Sequence, residues 1–414
     1  MRILFCCENF YPSIGGVQEV VWQLATRSAA NKKNQVEVAT TFRNDRTTHL
    51  INNFKINEFK IYGNYALGIY GDKNKYINFI LSSNFDIIFI YAAQQWTFDL
   101  LFEYFKDIKS KVILVPCGFS GLKTIIYKKY FNELKKKINY IDLFIFHTRP
   151  YQDFDYLKKY LTKKKYAIIP NGADENNFLN LDLKNYQKKR LKLDDALLIL
   201  SNSSLSFNKG QLDILKAIEK LNINKKVNII INADFDDAKM NLFSISKEFL
   251  KIIYNLLLKR RIFFSPKMLK LIINYKIKKI QKKNNNMTIS LLNVSKNDLI
   301  NLYKACDIFV FASKIEYCPL VIYEAMASHA AIISSDVGNV KSVINKYKCG
   351  IISKTKIENE YSNIDIHDFA KNITNLINND KYRTKLANNG RNAYIKNFQW
   401  KYLYFQYQKY LHGF

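Results

Sequence analysis

Short apolar runs and longer amphipathic stretches alternate along this chain. "RILFCC" is a run of strand length, "ENFYPSIGG" is turn-rich, and "VQEVVWQLATRSAAN" then places Val17, Val20, Val21, Leu24 and Ala25 on one helical face. "QVEVATTF" reads as the next strand, and "FDIIFIYA", "KVILVPCG", "DLFIFHT" and "YAIIPNG" continue the series. These runs are apolar at consecutive positions, as in strands covered on both faces. Strand–helix–strand alternation implies parallel pairing with crossover helices. The pattern lapses over the polar stretch "ENNFLNLDLKNYQKKRLKLDD" and then restarts. "ALLILSN" is a strand, "SLSFNKG" a loop, and "QLDILKAIEKL" a helix carrying Leu212, Leu215, Ile218 and Leu221 at helical spacing. "KVNIIINA", "MTISLLNV", "DIFVFAS" and "AAIISSD" follow as strands. The chain therefore reads as two alternating α/β halves joined near residue 185, with ligands expected beyond the carboxyl ends of the strands.

Two segments break the pattern. Between Asp234 and Asn286 there are two helical stretches, "ISKEFLKIIYNLLLKRR" and "SPKMLKLIINYKIKKIQKK", where one crossover helix suffices. Lys267, Lys270, Lys276, Lys278, Lys279, Lys282 and Lys283 alternate there with Met, Leu, Ile and Tyr, so a basic helical insertion is expected at about 240–286. In the first half, "LKTIIYKKYFNELKKKI" sets Ile126, Tyr130, Leu134 and Ile138 in a stripe beside Lys128, Lys129, Lys135, Lys136 and Lys137. A solvated face and an anionic membrane surface are the two readings of such helices, here 122–138 and 267–283.

Composition narrows the classes. With 414 residues and 48% apolar content, the chain can build more than one sizeable core. No apolar run approaches the roughly 20 residues of a spanning helix. The short apolar stretch in "MRILFCCENFYPS" does not make a signal peptide, so a cytoplasmic protein is expected, peripheral on the inner face of the membrane at most. Cys6, Cys7, Cys117, Cys306, Cys318 and Cys349 show no C-x-x-C spacing, which argues against zinc or a disulfide framework. The formal charge of +29 invites a nucleic-acid reading, but only 10 of the 64 basic residues are Arg, the residue that forks onto bases and phosphates. The lysines are spread over nearly the whole length. No nucleic-acid partner is expected; a phosphorylated substrate or an anionic membrane suits the charge better.

The candidate chemistry lies in "KIEYCPLVIYEAMASHAAIISSDVGN" (314–339). "ACDIFVFAS" is a buried strand and "LVIYEAMASHA" a helix that Pro319 is suited to start. Glu316 then sits in the loop beyond a strand, and Glu324 about one turn inside the next helix. The leading N–H groups of Cys318, Leu320 and Val321 favour an anion. Carboxylates at both ends and amides between them suit a ligand with hydroxyls at its ends and charge in its middle.

The Glu-x7-Glu spacing in that stretch, following "LYKACDIFVFAS", resembles the donor-binding signature of family-4-type retaining glycosyltransferases of the glycosyltransferase B (GT-B) fold. "RILFCCENFYPSIGGVQEVVWQLA" is similar to that family's opening strand, glycine loop and helix. "YAIIPNGADENNF" resembles the close of its first domain, "SNSSLSFNKGQLDILKAI" its first phosphate loop, and "NNGRNAYIKNFQWKYLYFQYQKYL" its terminal helices. The resemblance implies two facing Rossmann-like, doubly wound parallel-sheet domains with a cleft between them. Residues 1–185 would be the acceptor-side domain, 186–395 the nucleotide-sugar domain, and 396–414 a helix crossing back to the first.

It also implies roles. Glu316 would contact donor-sugar hydroxyls and Glu324 the ribose. Tyr317, Cys318, Pro319 and Leu320 would present backbone to sugar and phosphates, with Asn202 in the phosphate loop beside them. Lys209 would neutralise the diphosphate, and Gly15 and Gly16 would let the first loop approach the ligand closely. Catalytic work would fall to Glu316 and Lys209, with a nucleotide-diphosphate sugar as substrate, a glycan or lipid-linked acceptor, and no metal or other cofactor.

Two features depart from the family. Ser201 and Asn202 stand near the place of its usual Gly-Arg pair, and Cys117 stands where it often has a His. A catalytically degenerate sugar-binding subunit and a basic nucleic-acid-binding protein are the alternative readings. His147 reads as a satisfied imidazole, and the "DFD" runs at 153–155 and 234–236 as chance rather than metal motifs.

Overall fold

Each apolar run read as a strand from the sequence is a strand in the computed structural model, which describes residues 1–161, 165–178, 184–193, 196–235, 264–358 and 360–411. The first half builds β1 (Arg2–Cys6), β2 (Gln35–Thr41), β3 (Leu50–Ile51), β4 (Phe54–Phe59), β5 (Ile61–Asn64), β6 (Gly68–Gly71), β7 (Ile87–Tyr91), β8 (Lys111–Val115), β9 (Leu143–Phe146) and β10 (Tyr166–Ile168). The second builds β11 (Leu197–Ser204), β12 (Val227–Asp234), β13 (Met287–Leu292), β14 (Ile308–Phe311), β15 (Ala331–Ser334) and β16 (Gly350–Ile352). Helices used below are α1 (Gly16–Ala30), α2 (Ile125–Lys137), α3 (Gln211–Ile218), α4 (Pro266–Gln281), α5 (Lys296–Ala305), α6 (Leu320–Ala327), α7 (Asp380–Asn397) and α8 (Trp400–Leu411).

Two compact units result. Unit 1 comprises Met1–Asn171 and the last helix, α8; unit 2 is Gly172–Gln399. The chain enters unit 2 at Gly172, earlier than residue 185, because the next residues already bond to α7 and the residue after it. Ala173 N–H donates to the Phe398 carbonyl at 3.1 Å, and Arg391 Nη2 to the Phe178 carbonyl at 2.9 Å. In unit 1, α8 packs on α1, where the Tyr404 hydroxyl donates to Ser28 Oγ at 3.1 Å and the Tyr407 ring lies 6.1 Å from that of Phe89.

The sheet of unit 1 runs β10-β9-β8-β7-β1-β2-β4-β3, parallel except for the β3–β4 edge pair. Strand β4 and the β5–β6 hairpin had no signal in the sequence reading, because "FKINEF" mixes its buried Phe54, Ile56 and Phe59 with Lys, Asn and Glu and the hairpin stands outside the main sheet. The sheet of unit 2 runs β13-β12-β11-β14-β15-β16, all parallel. Successive strands leave β11 first toward β12 and then, on its other side, toward β14. The crevice beyond the carboxyl ends of those two strands is the switch point where open parallel sheets bind ligands.

Burial sorts several residues into structural roles. His147 is buried; one ring nitrogen pairs with the Tyr91 hydroxyl at 2.6 Å and the other with the Ile169 carbonyl at 2.8 Å. Burial holds it neutral, its pKa pushed down to about 4. Asp153 of the first Asp-x-Asp run accepts from the Gly118 N–H at 2.9 Å and from the Phe154 N–H at 2.7 Å, while Asp155 pairs with Lys158 at 2.6 Å. In the second run, Asp236 lies outside the described residues. All six cysteines are free, and five of them are buried.

The two basic helices differ. Leu269, Ile273, Ile277 and Ile280 of α4 are buried in the core of unit 2, and three of its lysine neighbours gather on one carboxylate. Lys276, Lys279 and Lys283 lie 3.1, 3.8 and 3.6 Å from Glu219. The apolar face of α4 is therefore consumed by packing. The preceding segment "ISKEFLKIIYNLLLKRR" lies outside the described residues. On α2, Tyr130 and Leu134 are buried, but the first-turn residues Ile125 and Ile126 are 90% and 62% exposed.

Candidate functional site

At the switch point of unit 2, β11 ends at Ser204 and the chain makes a tight turn, Phe207–Lys209, before α3. Gly210 closes the turn at φ +73°, and a Cβ there would lie 2.1 Å from the Ala312 carbonyl oxygen. Only glycine meets both demands. The turn is thereby pressed against the end of β14. Lys314 N–H donates to the Asn208 carbonyl at 2.7 Å, and Ser313 Oγ lies 3.2 Å from the same oxygen.

This contact delivers Lys209 to Glu316. Their side chains, 27% and 15% exposed, form an ion pair with Nζ 2.5 Å from Oε1. Ser313 Oγ donates to that same oxygen at 2.8 Å. The cation that follows one central strand and the carboxylate that follows the other therefore meet beyond the sheet edge. Both bonds end on Oε1, which leaves Oε2 the better placed to accept from a ligand hydroxyl.

The loop behind the pair is fixed from two sides. Lys314 Nζ is 2.8 Å from Asp213 Oδ2 and 4.3 Å from the centre of the Phe207 ring, so it ties the loop to α3. Burial raises the Asp213 carboxyl, but its bonds to Lys314 and Lys216 outweigh burial and leave it below the usual range. On the other side, Gly338 sits at φ +55°, where a Cβ would be 2.3 Å from the Tyr317 carbonyl oxygen. Asn339 N–H donates to that carbonyl at 3.0 Å, and Asn339 Nδ2 contacts Cys318 Sγ at 3.1 Å and the Tyr323 hydroxyl at 2.8 Å. Tyr317 and Cys318 thus shape the loop from buried positions.

Pro319 is the N-cap of α6, and no side chain caps that end. The leading amides of Leu320 and Val321 have no carbonyl partner within the helix and lie at the positive end of its dipole. Glu324 lies in the next turn, half-buried, and is hydrogen-bonded to the Tyr303 hydroxyl. Burial, with Glu324 second, raises the Tyr303 hydroxyl well above its ordinary range, so it stands as a donor. Asn202 is engaged at both ends of its amide: Nδ2 donates to the Tyr303 hydroxyl at 3.2 Å and Oδ1 accepts from Asn232 Nδ2 at 2.9 Å.

Among the expected site residues of unit 2, the structure brings Lys209 and Glu316 into direct contact. It sets Tyr317, Cys318, Pro319 and Leu320 in the loop and helix start that follow, and ties Glu324 to Asn202 through Tyr303. Gly15 and Gly16 belong to unit 1, as the N-cap and first residue of α1. The backbone at Gly15, φ 172°, is open to any residue, and a Cβ there would meet only the end of the Gln18 side chain. Sequence reasoning missed Ser313, Lys314, Tyr303 and Asn232. Ser313 and Lys314 were within reach, since both fall between the buried strand and Glu316.

Residues 273–393 match the family described as glycosyl transferases group 1, a span that includes Glu316, Glu324, the start of α6 and Tyr303. The fold is that of GT-B glycosyltransferases. Sucrose-phosphate synthase from Thermosynechococcus elongatus aligns at a TM-score of 0.73 with 15% identity, over 100% of this chain and 98% of its own. Anabaena Alr3699/HepE, in a complex with UDP, aligns at 0.72 with 14% identity over 100% of both chains. A stretch of 96 residues is 34% identical to the N,N'-diacetylbacillosaminyl-diphospho-undecaprenol alpha-1,3-N-acetylgalactosaminyltransferase of Campylobacter jejuni. That stretch spans 23% of this chain and 23% of the Campylobacter protein. The group 1 segment carries Glu316, and its cationic partner Lys209 reaches it from outside the matched residues.

Proposed function

We propose that this protein is a retaining glycosyltransferase. It moves a sugar from a nucleoside-diphosphate donor to a hydroxyl of a glycan or lipid-linked acceptor, in the assembly of a cell-surface polysaccharide or glycolipid. The observation that carries the proposal is the Lys209–Glu316 pair beyond the carboxyl ends of β11 and β14. Solved complexes of Alr3699/HepE contain UDP and UDP-glucose, which supports a nucleotide sugar as donor. The Campylobacter enzyme is named for a diphospho-undecaprenol acceptor, which supports a lipid-linked one.

In this reading Lys209 turns from Glu316 to the donor diphosphate and neutralises the charge that grows as the sugar departs, aided by the leading amides of α6. Glu316 accepts from sugar hydroxyls and Glu324 from the ribose. The bond from the anomeric carbon to the phosphate oxygen breaks while the bond to the acceptor oxygen forms on the same face. The departing phosphate oxygen takes the acceptor's proton. Charge stabilisation and positioning by Lys209, the amides and the two glutamates require no metal ion.

Incubation with a panel of nucleotide sugars and a polyprenyl-diphosphate glycan acceptor tests the proposal. The expected outcome is a product with the donor's anomeric configuration, read by NMR coupling at the new linkage. An inverted product would overturn the same-face mechanism. Nucleotide-sugar binding without turnover would favour the degenerate-subunit reading.

The acceptor reading also predicts contact with an anionic bilayer through unit 1. Ile125 and Ile126 open α2 beside the exposed Lys123, Lys128 and Lys129. The β5–β6 hairpin adjoins them: the Tyr65 ring in its turn lies 6.3 Å from Tyr130 and 5.7 Å from Lys129 Nζ, and Leu67 beside it is 63% exposed. Each inserted isoleucine would contribute about 2 kcal/mol and each nearby lysine about 1 kcal/mol. Vesicles containing phosphatidylglycerol should co-sediment the protein at low salt, and Ile125→Ser with Ile126→Ser should weaken partitioning at least about tenfold. Equal binding by the double variant would remove this surface from the account.

A further inference from the structure

Two asparagines of unit 2 face each other across its sheet. Asn202 and Asn232 are register partners toward the carboxyl ends of β11 and β12, following the apolar runs Leu197–Leu200 and Ile229–Ile231. Apolar residues at both positions would avoid the cost of placing amides there. Their hydrogen bonds run in one direction. The Val294 N–H, just past β13, donates to Asn232 Oδ1 at 3.2 Å. Asn232 Nδ2 donates to Asn202 Oδ1 at 2.9 Å, and Asn202 Nδ2 donates to the Tyr303 hydroxyl at 3.2 Å. The Tyr303 hydroxyl, whose ring is buried between Phe178 and Phe309, is in turn bonded to Glu324.

We infer that Val294, Asn232, Asn202 and Tyr303 form a one-way chain of donors that aims the Glu324 carboxylate at the ribose diol of a bound nucleotide. Tyr303 is its terminal positioning residue. Each link polarises the next, so the last bond to the carboxylate is stronger than an isolated one. The chain crosses from β13 through β12 and β11 to α5 and ends on α6. It therefore fixes the carboxylate relative to the whole sheet rather than to its own helix alone. Asn202 acts here through Tyr303. The inference rests on the donor-site reading above.

Calorimetry on the full-length protein tests it. The probe is whichever of UDP, GDP and ADP binds wild type most tightly, compared with its 2′,3′-dideoxy analogue. Wild type should bind the dideoxy compound about tenfold more weakly, the size expected for losing bonds to a charged group. In Tyr303→Phe, affinity for the parent nucleotide should fall about tenfold and the dideoxy penalty should shrink to about twofold or less. KM for the donor should rise in the same proportion with kcat little changed, as for an interaction made equally in ground and transition states. Asn202→Leu removes the donor behind Tyr303 while leaving Tyr303 and Glu324 in place. It should shrink the penalty partway, and it serves if Tyr303→Phe does not fold.

If wild type discriminates and the folded variants discriminate equally, the inference falls while the donor site stands. A lowered melting temperature with an undiminished dideoxy penalty would make the chain structural only, and also overturns it. If wild type binds no nucleotide, or does not discriminate, the role given to Glu324 fails first and the inference with it.

Discussion

Lys209→Ala lowers kcat for sugar transfer by about 10²- to 10³-fold, the cost of removing one preorganised group that stabilises charge in a transition state. Two observations set that expectation. Lys209 is held at the head of α3 by a glycine turn packed on β14, and it already stands 2.5 Å from a carboxylate at the sheet's switch point. No Arg stands near the place of the family's usual Gly-Arg pair, so less cationic help is at hand when Lys209 is lost. Lys209→Arg should restore only part of the activity, because the planar fork cannot occupy the site of a compact ammonium. Steady-state kinetics on purified variants check this, and wild-type kcat in Lys209→Ala would remove the residue from the mechanism.

Glu316→Ala has two effects of opposite sign. Transfer falls by about 10- to 150-fold, the loss of hydrogen bonds between a carboxylate and the sugar hydroxyls it would accept from. Affinity for the nucleoside diphosphate alone rises severalfold. In the free protein the Lys209 ammonium is paired with Glu316 and must leave that partner to meet phosphate; without the carboxylate it is already available. Lys209→Ala should weaken the same binding. Titration calorimetry with the nucleoside diphosphate reads both signs. Equal weakening in the two variants would mean that Glu316 supports the loop rather than competing for Lys209.

The parallel-sheet halves were legible because continuous apolar runs such as "DIFVFAS" and "KVILVPCG" have few other structures available to them. Strand β4 and the β5–β6 hairpin were not, since "FKINEF" interrupts its apolar positions with Lys, Asn and Glu and an isolated hairpin buries too little to leave a pattern. Lys209 and Glu316 were readable as motif members, but their contact was not. It depends on Gly210 meeting the Ala312 carbonyl, a long-range approach that spacing does not encode. Asn202 was singled out as a phosphate-loop residue, but its bonds to Asn232 and Tyr303 were not legible, because those partners are set by strand register and long-range packing. Basic amphipathic character was equally visible in α2 and α4. Only packing separates them, since the core takes the apolar face of α4 and leaves Ile125 and Ile126 exposed.

The account depends on Lys209 and Glu316 being the two ends of one donor site. A crystal structure with a non-hydrolysable nucleotide-sugar analogue tests that most directly. The predicted result is a diphosphate oxygen within hydrogen-bond distance of Lys209 Nζ, the ion pair opened, and a sugar hydroxyl on the Glu316 carboxylate. A nucleotide bound elsewhere on unit 2, with the pair still closed, would contradict it.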